Sequence, residues 1–127
     1  MWKDDITRLH HATFGTEIDF ERYENTVIFK QQNDVLVGYV LFSVVADFAD
    51  LHYITVAPEF RNLGFGISLM EDFVIDVAGR GVSEITLEVQ IDNQTAIGLY
   101  ESFGFEKVGL RKGYYAGIDG LLMRLTL

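Results

Sequence analysis

Apolar positions recur along the chain with a period that changes, and each change predicts an element. Trp2, Ile6, Leu9 and Ala12 lie near helical spacing and predict a short opening helix over residues 2–12. Asp19–Tyr23 reads as a further turn of helix. Thr26–Phe29 and Val35–Val45 are rich in β-branched and aromatic residues, and the Asn33-Asp34 pair between them predicts a hairpin. Leu51–Val56 predicts another strand, stopped by Pro58, which lacks the N–H that a central ladder requires. From Gly66 the period becomes helical: Ile67, Met70, Phe73, Val74, Val77 and Ala78 share one face, and Ser68, Glu71, Asp72 and Asp76 the other. Gly79-Arg80-Gly81 ends that helix, because glycine suits a left-handed closing turn. Glu84–Gln90 alternates strictly, so Ile85, Leu87 and Val89 point one way and Glu88 points away from them. Asn93 is a good N-cap for a helix carrying Ala96, Ile97, Tyr100 and Phe103 and closed by Gly104. Phe105–Leu110 and Leu121–Leu127 read as strands joined by a loop over Gly113–Gly120.

Helix, hairpin, strand, helix, strand, helix and two strands add up to an α/β domain on a mixed sheet, with a right-handed crossover at its centre. The 127 residues suffice for one core, so residues 1–127 are expected to form a single domain. Ten Lys+Arg against 19 Asp+Glu leave a net charge of −9. That balance argues against a nucleic-acid partner held by phosphate contacts and suits a cationic one. The absence of cysteine excludes disulfides, thiolate metal sites and a cysteine nucleophile. Met-Trp-Lys-Asp-Asp is too charged to open a signal peptide, and Val35–Val45 falls short of the roughly 20 residues a bilayer span needs. A cytoplasmic protein without a membrane partner is expected. His10, His11 and His52 have no companions at metal-ligand spacing, so no metal is expected, and His52 reads as a satisfied histidine inside a strand.

Candidate chemistry begins at Arg61-Asn62-Leu63-Gly64-Phe65-Gly66, between a strand and an amphipathic helix. Gly64 and Gly66 let backbone approach a ligand closely, and the first N–H groups of the helix lack internal partners. Together they suit a pyrophosphate, although glycines before a helix also serve a plain tight turn. The P-loop pattern is absent, and Leu69 stands where a dinucleotide fingerprint needs glycine.

Some 20 residues later come Leu87-Glu88-Val89, Asn93, Ala96, Leu99-Tyr100-Glu101 and Gly104-Phe105. RNLGFG followed by LEVQIDNQTAIGLYESFGF resembles the N-acetyltransferase superfamily known as GNAT, and within it the RimI-type branch that acetylates protein N-termini. The resemblance covers residues 35–127. It implies a mixed, mostly antiparallel sheet flanked by helices, and acetyl-CoA as co-substrate with no metal. It places the pyrophosphate on the backbone of Arg61, Asn62, Leu63, Gly64, Phe65, Gly66 and Ile67, and the pantetheine arm along Ile54-Thr55-Val56. Asn93 matches a cofactor-contacting position, a role compatible with capping. The Arg61 side chain either faces a phosphate or lies on the surface.

The implied reaction is direct transfer of acetyl from the thioester to a primary amine. An α-amino group is about a third neutral at pH 7.5, a lysine amine only about 0.1%. Glu88 matches the base of the RimI-type branch, and Tyr100 the acid that quenches the leaving thiolate. Tyr114 and Tyr115, in Leu110-Arg111-Lys112-Gly113-Tyr114-Tyr115, match the peptide side of the site; they either bind peptide backbone or pack the last strands. The favoured acceptor is a protein or peptide N-terminus. The alternatives are a small amine (polyamine, amino acid or amino sugar) and a non-catalytic acyl-CoA-binding module, whose signature would be loss of Glu88 or Tyr100. Either a monomer or a homodimer fits. Two departures bear on the acceptor side. About 25 residues precede Thr26, so the family's usual first strand is expected to be absent, and Ala116–Gly120 replaces a longer acidic stretch.

Overall fold

The computed structural model describes residues 1–127. The opening helix is α1 (Trp2–Phe14), followed by a 3₁₀ turn at Phe20–Tyr23 that Asp19 caps through its side chain. The hairpin is β1 (Val27–Gln32) and β2 (Val35–Val45), turned by Asn33 and Asp34 at φ 52° and 63°. Two successive positive φ values match the right-handed twist of the strands they join, which is why that pair marked the turn. Then come β3 (Phe48–Val56), α2 (Phe65–Gly79), β4 (Glu84–Gln90), α3 (Gln94–Ser102), β5 (Glu106–Tyr115) and β6 (Ile118–Thr126).

The six strands form one sheet in the order β1-β2-β3-β4-β6-β5. Every neighbouring pair is antiparallel except β3 and β4, the pair that α2 connects. The fold is therefore the expected mixed, mostly antiparallel sheet flanked by helices, and no strand precedes α1. α1 covers one face, where Ile6 packs with Tyr23, Leu36, Tyr39 and Leu41. α2 and α3 cover the other, burying Leu69, Met70, Phe73, Val77, Ile97 and Tyr100 against Val40, Phe42, Ile85, Leu87 and Val89.

Three expectations needed correction. In α1 the buried position one turn after Ile6 is His10, whereas Ala12 is exposed. In α2 the core takes Leu69, and Ile67 is 51% exposed, with Ala78 also outside. Apolar residues surround most of that helix, so its period leaves the buried face undetermined. The last two strands run on through the supposed Gly113–Gly120 loop to a two-residue turn at Ala116-Gly117, φ 49° and 92°. Gly113 breaks the pattern because it sits in a bulge at φ 63°, and its N–H donates to the Asp119 carboxylate at 2.9 Å.

The sheet is not continuous at its centre. β3 and β4 pair only where Phe48–Asp50 meets Glu84–Thr86. Beyond that they diverge, so Leu51–Val56 has a ladder partner only in β2. The register between β2 and β3 also slips at Leu41/Phe42, leaving His52 as the extra residue of a bulge that bends β3 away.

Candidate active site

The splay between β3 and β4 leaves one edge of Ile54-Thr55-Val56 without a neighbouring strand. Pro58 opens a short 3₁₀ turn beyond it, and the chain re-enters a helix at α2 through Asn62 at φ 61° and Gly64 at φ 86°. The backbone N–H groups of Asn62, Leu63, Gly64, Phe65, Gly66 and Ile67 donate to nothing within the chain; the first amide of α2 with a partner is Ser68, which bonds the Gly64 carbonyl at 3.1 Å. Consecutive free amides at the start of a fifteen-residue helix attract anionic groups. Gly66 leaves the helix start uncluttered, since a Cβ there would touch only Leu99 at 3.8 Å. Arg61 lies on the surface, where its Nε donates to the Val56 carbonyl at 3.0 Å and links the loop to the end of the splayed strand. Asn93 caps α3 by accepting from Ala96 N–H at 3.2 Å.

Glu88 emerges on the sheet face opposite α2 and α3, as its alternation required. It is half-buried in a cleft of about 400 Å³ lined by Asp50, His52, Arg111 and Tyr115 among others. The Tyr115 hydroxyl donates to Oε2 at 3.0 Å. Arg111 Nε stands 2.9 Å from Oε1, yet its N–H is not aimed along a hydrogen bond, so this buried oxygen has an ion pair and no donor. Burial, and then the bond to Glu88, push the Tyr115 hydroxyl up to about 12, which keeps it a donor at neutral pH. Tyr114 is exposed, with the Arg111 guanidinium 4.5 Å above its ring and Tyr115 edge-on at 5.0 Å.

These contacts cross an intervening strand. Glu88 lies on β4 and Arg111 and Tyr115 on β5, with β6 between them. The β6 residue paired with both Gln90 and Arg111 is Gly120. A Cβ there would lie 3.0 Å from Glu88 Cδ and 3.1 Å from Tyr115 Cε2, so the missing side chain is what lets the two meet. Sequence reading missed Arg111 and Gly120. Their only signal was an arginine beside the tyrosine pair and a glycine opening an apolar strand, and neither signal carries the register that joins them.

Tyr100 is not part of this cluster. It packs in the core between the sheet and α3, against Phe105, and burial pushes its hydroxyl up to about 12. His52 is held as expected, with Nδ1 2.8 Å from the Tyr23 hydroxyl and Nε2 3.1 Å from Ser43 Oγ.

A sheet splayed between two parallel neighbours, with free amides that attract anions at one end of the gap and a carboxylate on its far strand, defines the class of this α/β domain. The chain belongs to the acetyltransferase (GNAT) family, whose pattern matches residues 2–105. It is 38% identical over 100 residues to the [ribosomal protein bS18]-alanine N-acetyltransferase of Escherichia coli, a match covering 79% of this chain and 66% of that protein, just under two thirds of its length. The crystal structure of the ribosomal-protein-S18-alanine N-acetyltransferase from Escherichia coli superposes with a TM-score of 0.83 at 28% identity, covering 97% of this chain and 87% of that one. Arabidopsis thaliana Naa50, solved with the bisubstrate analogue CoA-Ac-MVNAL, shares the fold at a TM-score of 0.84 and 21% identity, covering 98% of this chain and 91% of its own.

Proposed function

We propose that residues 1–127 act as one domain that transfers acetyl directly from acetyl-CoA to a primary amine, with a protein or peptide N-terminal α-amino group as acceptor. The observation that carries this reading is Glu88: a carboxylate beside the splay, with one buried oxygen that no hydrogen-bond donor satisfies. Its relative in Escherichia coli, named for the alanine it acetylates, supports the choice of an α-amino group. The chain's own donors fit the cofactor. The free amides from Asn62 to Ile67 would take the pyrophosphate, and the open edge of Ile54-Thr55-Val56 the pantetheine amides. Acetyl-CoA supplies the activated thioester carbonyl.

Glu88 takes the proton of the acceptor ammonium, directly or through a water. The freed amine forms the new C–N bond, the C–S bond breaks with its electron pair on sulfur, and the second proton of the acylated nitrogen passes to the departing thiolate or to solvent. A hydroxyl near 12 facing a thiol of about 8.5 would transfer its proton uphill by roughly 3.5 pKa units, or ~5 kcal/mol. Tyr100 is therefore better suited to donate a hydrogen bond to the departing sulfur than to protonate it outright. No helix is long and apolar enough to cross a membrane, and we place the reaction in the cytoplasm. The test follows CoA release across a peptide library and a panel of small amines, for wild type and Glu88→Gln. Acetyl-CoA binding without turnover of any acceptor would refute transfer. Faster turnover of small amines than of peptides would refute the acceptor class alone.

A further inference from the structure

Arg111 is a cation seated on the residue that should receive a cationic acceptor. It belongs to the exposed edge strand β5, its side chain is about half exposed, and it faces Glu88 Oε1 across Gly120. A structural ion pair built for stability would aim a guanidinium N–H at the oxygen, because an aligned charge-assisted bond is worth roughly twice a neutral one. Here Nε approaches to 2.9 Å without that alignment, and Oε1 remains a buried acceptor with no donor. The other carboxylate oxygen is already taken by Tyr115. Oε1 is thus the free position for an incoming ammonium, and Arg111 occupies its approach.

The guanidinium also has a second hold. It already lies 4.5 Å over the exposed Tyr114 ring, which keeps the cation once Glu88 lets go. From the misaligned pair, the vacant oxygen and the aromatic perch, we propose that Arg111 is a stand-in for the acceptor: it neutralises Glu88 while the site is empty and is released from Glu88, keeping only its hold on Tyr114, when the acceptor ammonium binds. Arg111 thereby competes with the acceptor and selects for amines able to evict it. This rests on the reading of Glu88 as the ammonium-facing carboxylate.

The test reads binding as well as turnover. The CoA complex is titrated by NMR with a free alanine-starting pentapeptide amide and with its N-acetylated form, for wild type, Arg111→Gln, Arg111→Lys and both Arg111 variants in a Glu88→Gln background. A partly exposed ion pair contributes about 0.2–1 kcal/mol, equivalent to about 1.4- to 5-fold in affinity. Arg111→Gln is expected to tighten free-peptide binding, and to lower the acceptor KM in turnover, by a factor in that range. Arg111→Lys is expected to lie close to wild type. The N-acetylated peptide should show no gain, and neither should any peptide once Glu88 is Gln. Weaker or unchanged binding in Arg111→Gln, equal gain for the N-acetylated peptide, a gain that persists without the Glu88 charge, or no binding in any variant would overturn the proposal. Tighter binding without turnover would leave the stand-in role intact and refute acetyl transfer instead.

Discussion

Replacing Gly120 with alanine tests the geometry that joins three strands. The added methyl would lie 3.0 Å from Glu88 Cδ, 3.2 Å from Glu88 Cγ and 3.1 Å from Tyr115 Cε2, whereas ordinary contact begins at 3.4 Å. Both side chains must retreat by about 0.3–0.4 Å, and the 3.0 Å hydrogen bond between them joins the very groups that move. A hydrogen bond to a charged group is worth about 1.5–3 kcal/mol. Losing part of it, together with the aim of Glu88, should cost about 1–2 kcal/mol in the transition state, a fall of about 5- to 30-fold in kcat/KM. Stability should fall by about 0–2.5 kcal/mol, because overpacking costs about 1–3 kcal/mol while alanine gains about 0.5–1 kcal/mol over glycine within a strand. The assay pairs steady-state kinetics with urea unfolding and acetyl-CoA affinity, the last expected to stay at its wild-type value. Gly79→Ala is the control, since a Cβ at that helix end meets nothing within 4 Å. Wild-type kcat/KM in Gly120→Ala would refute the claim that the open path over β6 positions Glu88.

Three further outcomes follow from the same contacts. Tyr100→Phe is expected to lower kcat about 10- to 100-fold with little change in acceptor KM, because a hydrogen bond to the leaving sulfur strengthens only as charge develops; an unchanged kcat would remove Tyr100 from the chemistry. Gly38→Ala would set a Cβ 2.5 Å from the Thr55 carbonyl oxygen and 2.9 Å from Leu69 Cδ1. It should destabilise the fold by about 2–4 kcal/mol in urea and weaken acetyl-CoA binding, since it pushes the splayed end of β3 and α2 apart. His10 is buried with Nδ1 2.7 Å from the Tyr39 hydroxyl and Nε2 2.9 Å from Thr16 Oγ1. Burial, only partly offset by Glu17, holds its pKa below 6.5. The folded state thus binds this proton less readily than the unfolded chain, so its contribution is complete above pH 6.5 and is lost as pH falls below that. Urea midpoints measured from pH 8 to 5 should drop on acidification, more gently in His10→Phe; identical slopes would refute the assignment.

Local rules made most of the elements legible. Strict alternation placed Glu88 opposite Ile85, Leu87 and Val89, and that placement held because a two-residue period admits only two faces. Asn33-Asp34 and Asn93 marked a turn and a cap whose chemistry lies within three or four residues of backbone. Where the pattern was ambiguous, reading failed: α2 is apolar on most sides, so its buried face was decided by the sheet it packs against. Glycine misled in the last hairpin, because a residue that permits a loop equally permits a bulge or a close approach, and Gly113 and Gly120 are of the second kind.

The sequence by itself determined a mixed α/β fold, the resemblance to the acetyltransferase family, and the amide-rich start of α2, all of which depend on spacing along the chain. Only the tertiary structure decided that β3 and β4 part after three residue pairs, that Arg61 grips Val56, and that Arg111 and Tyr115 reach Glu88 over Gly120. Apart from the Arg61–Val56 bond, which spans five residues and depends on how the chain turns after Pro58, those contacts join residues more than twenty positions apart. Register between strands is set by the packing of the whole sheet, and no local pattern of residues carries it.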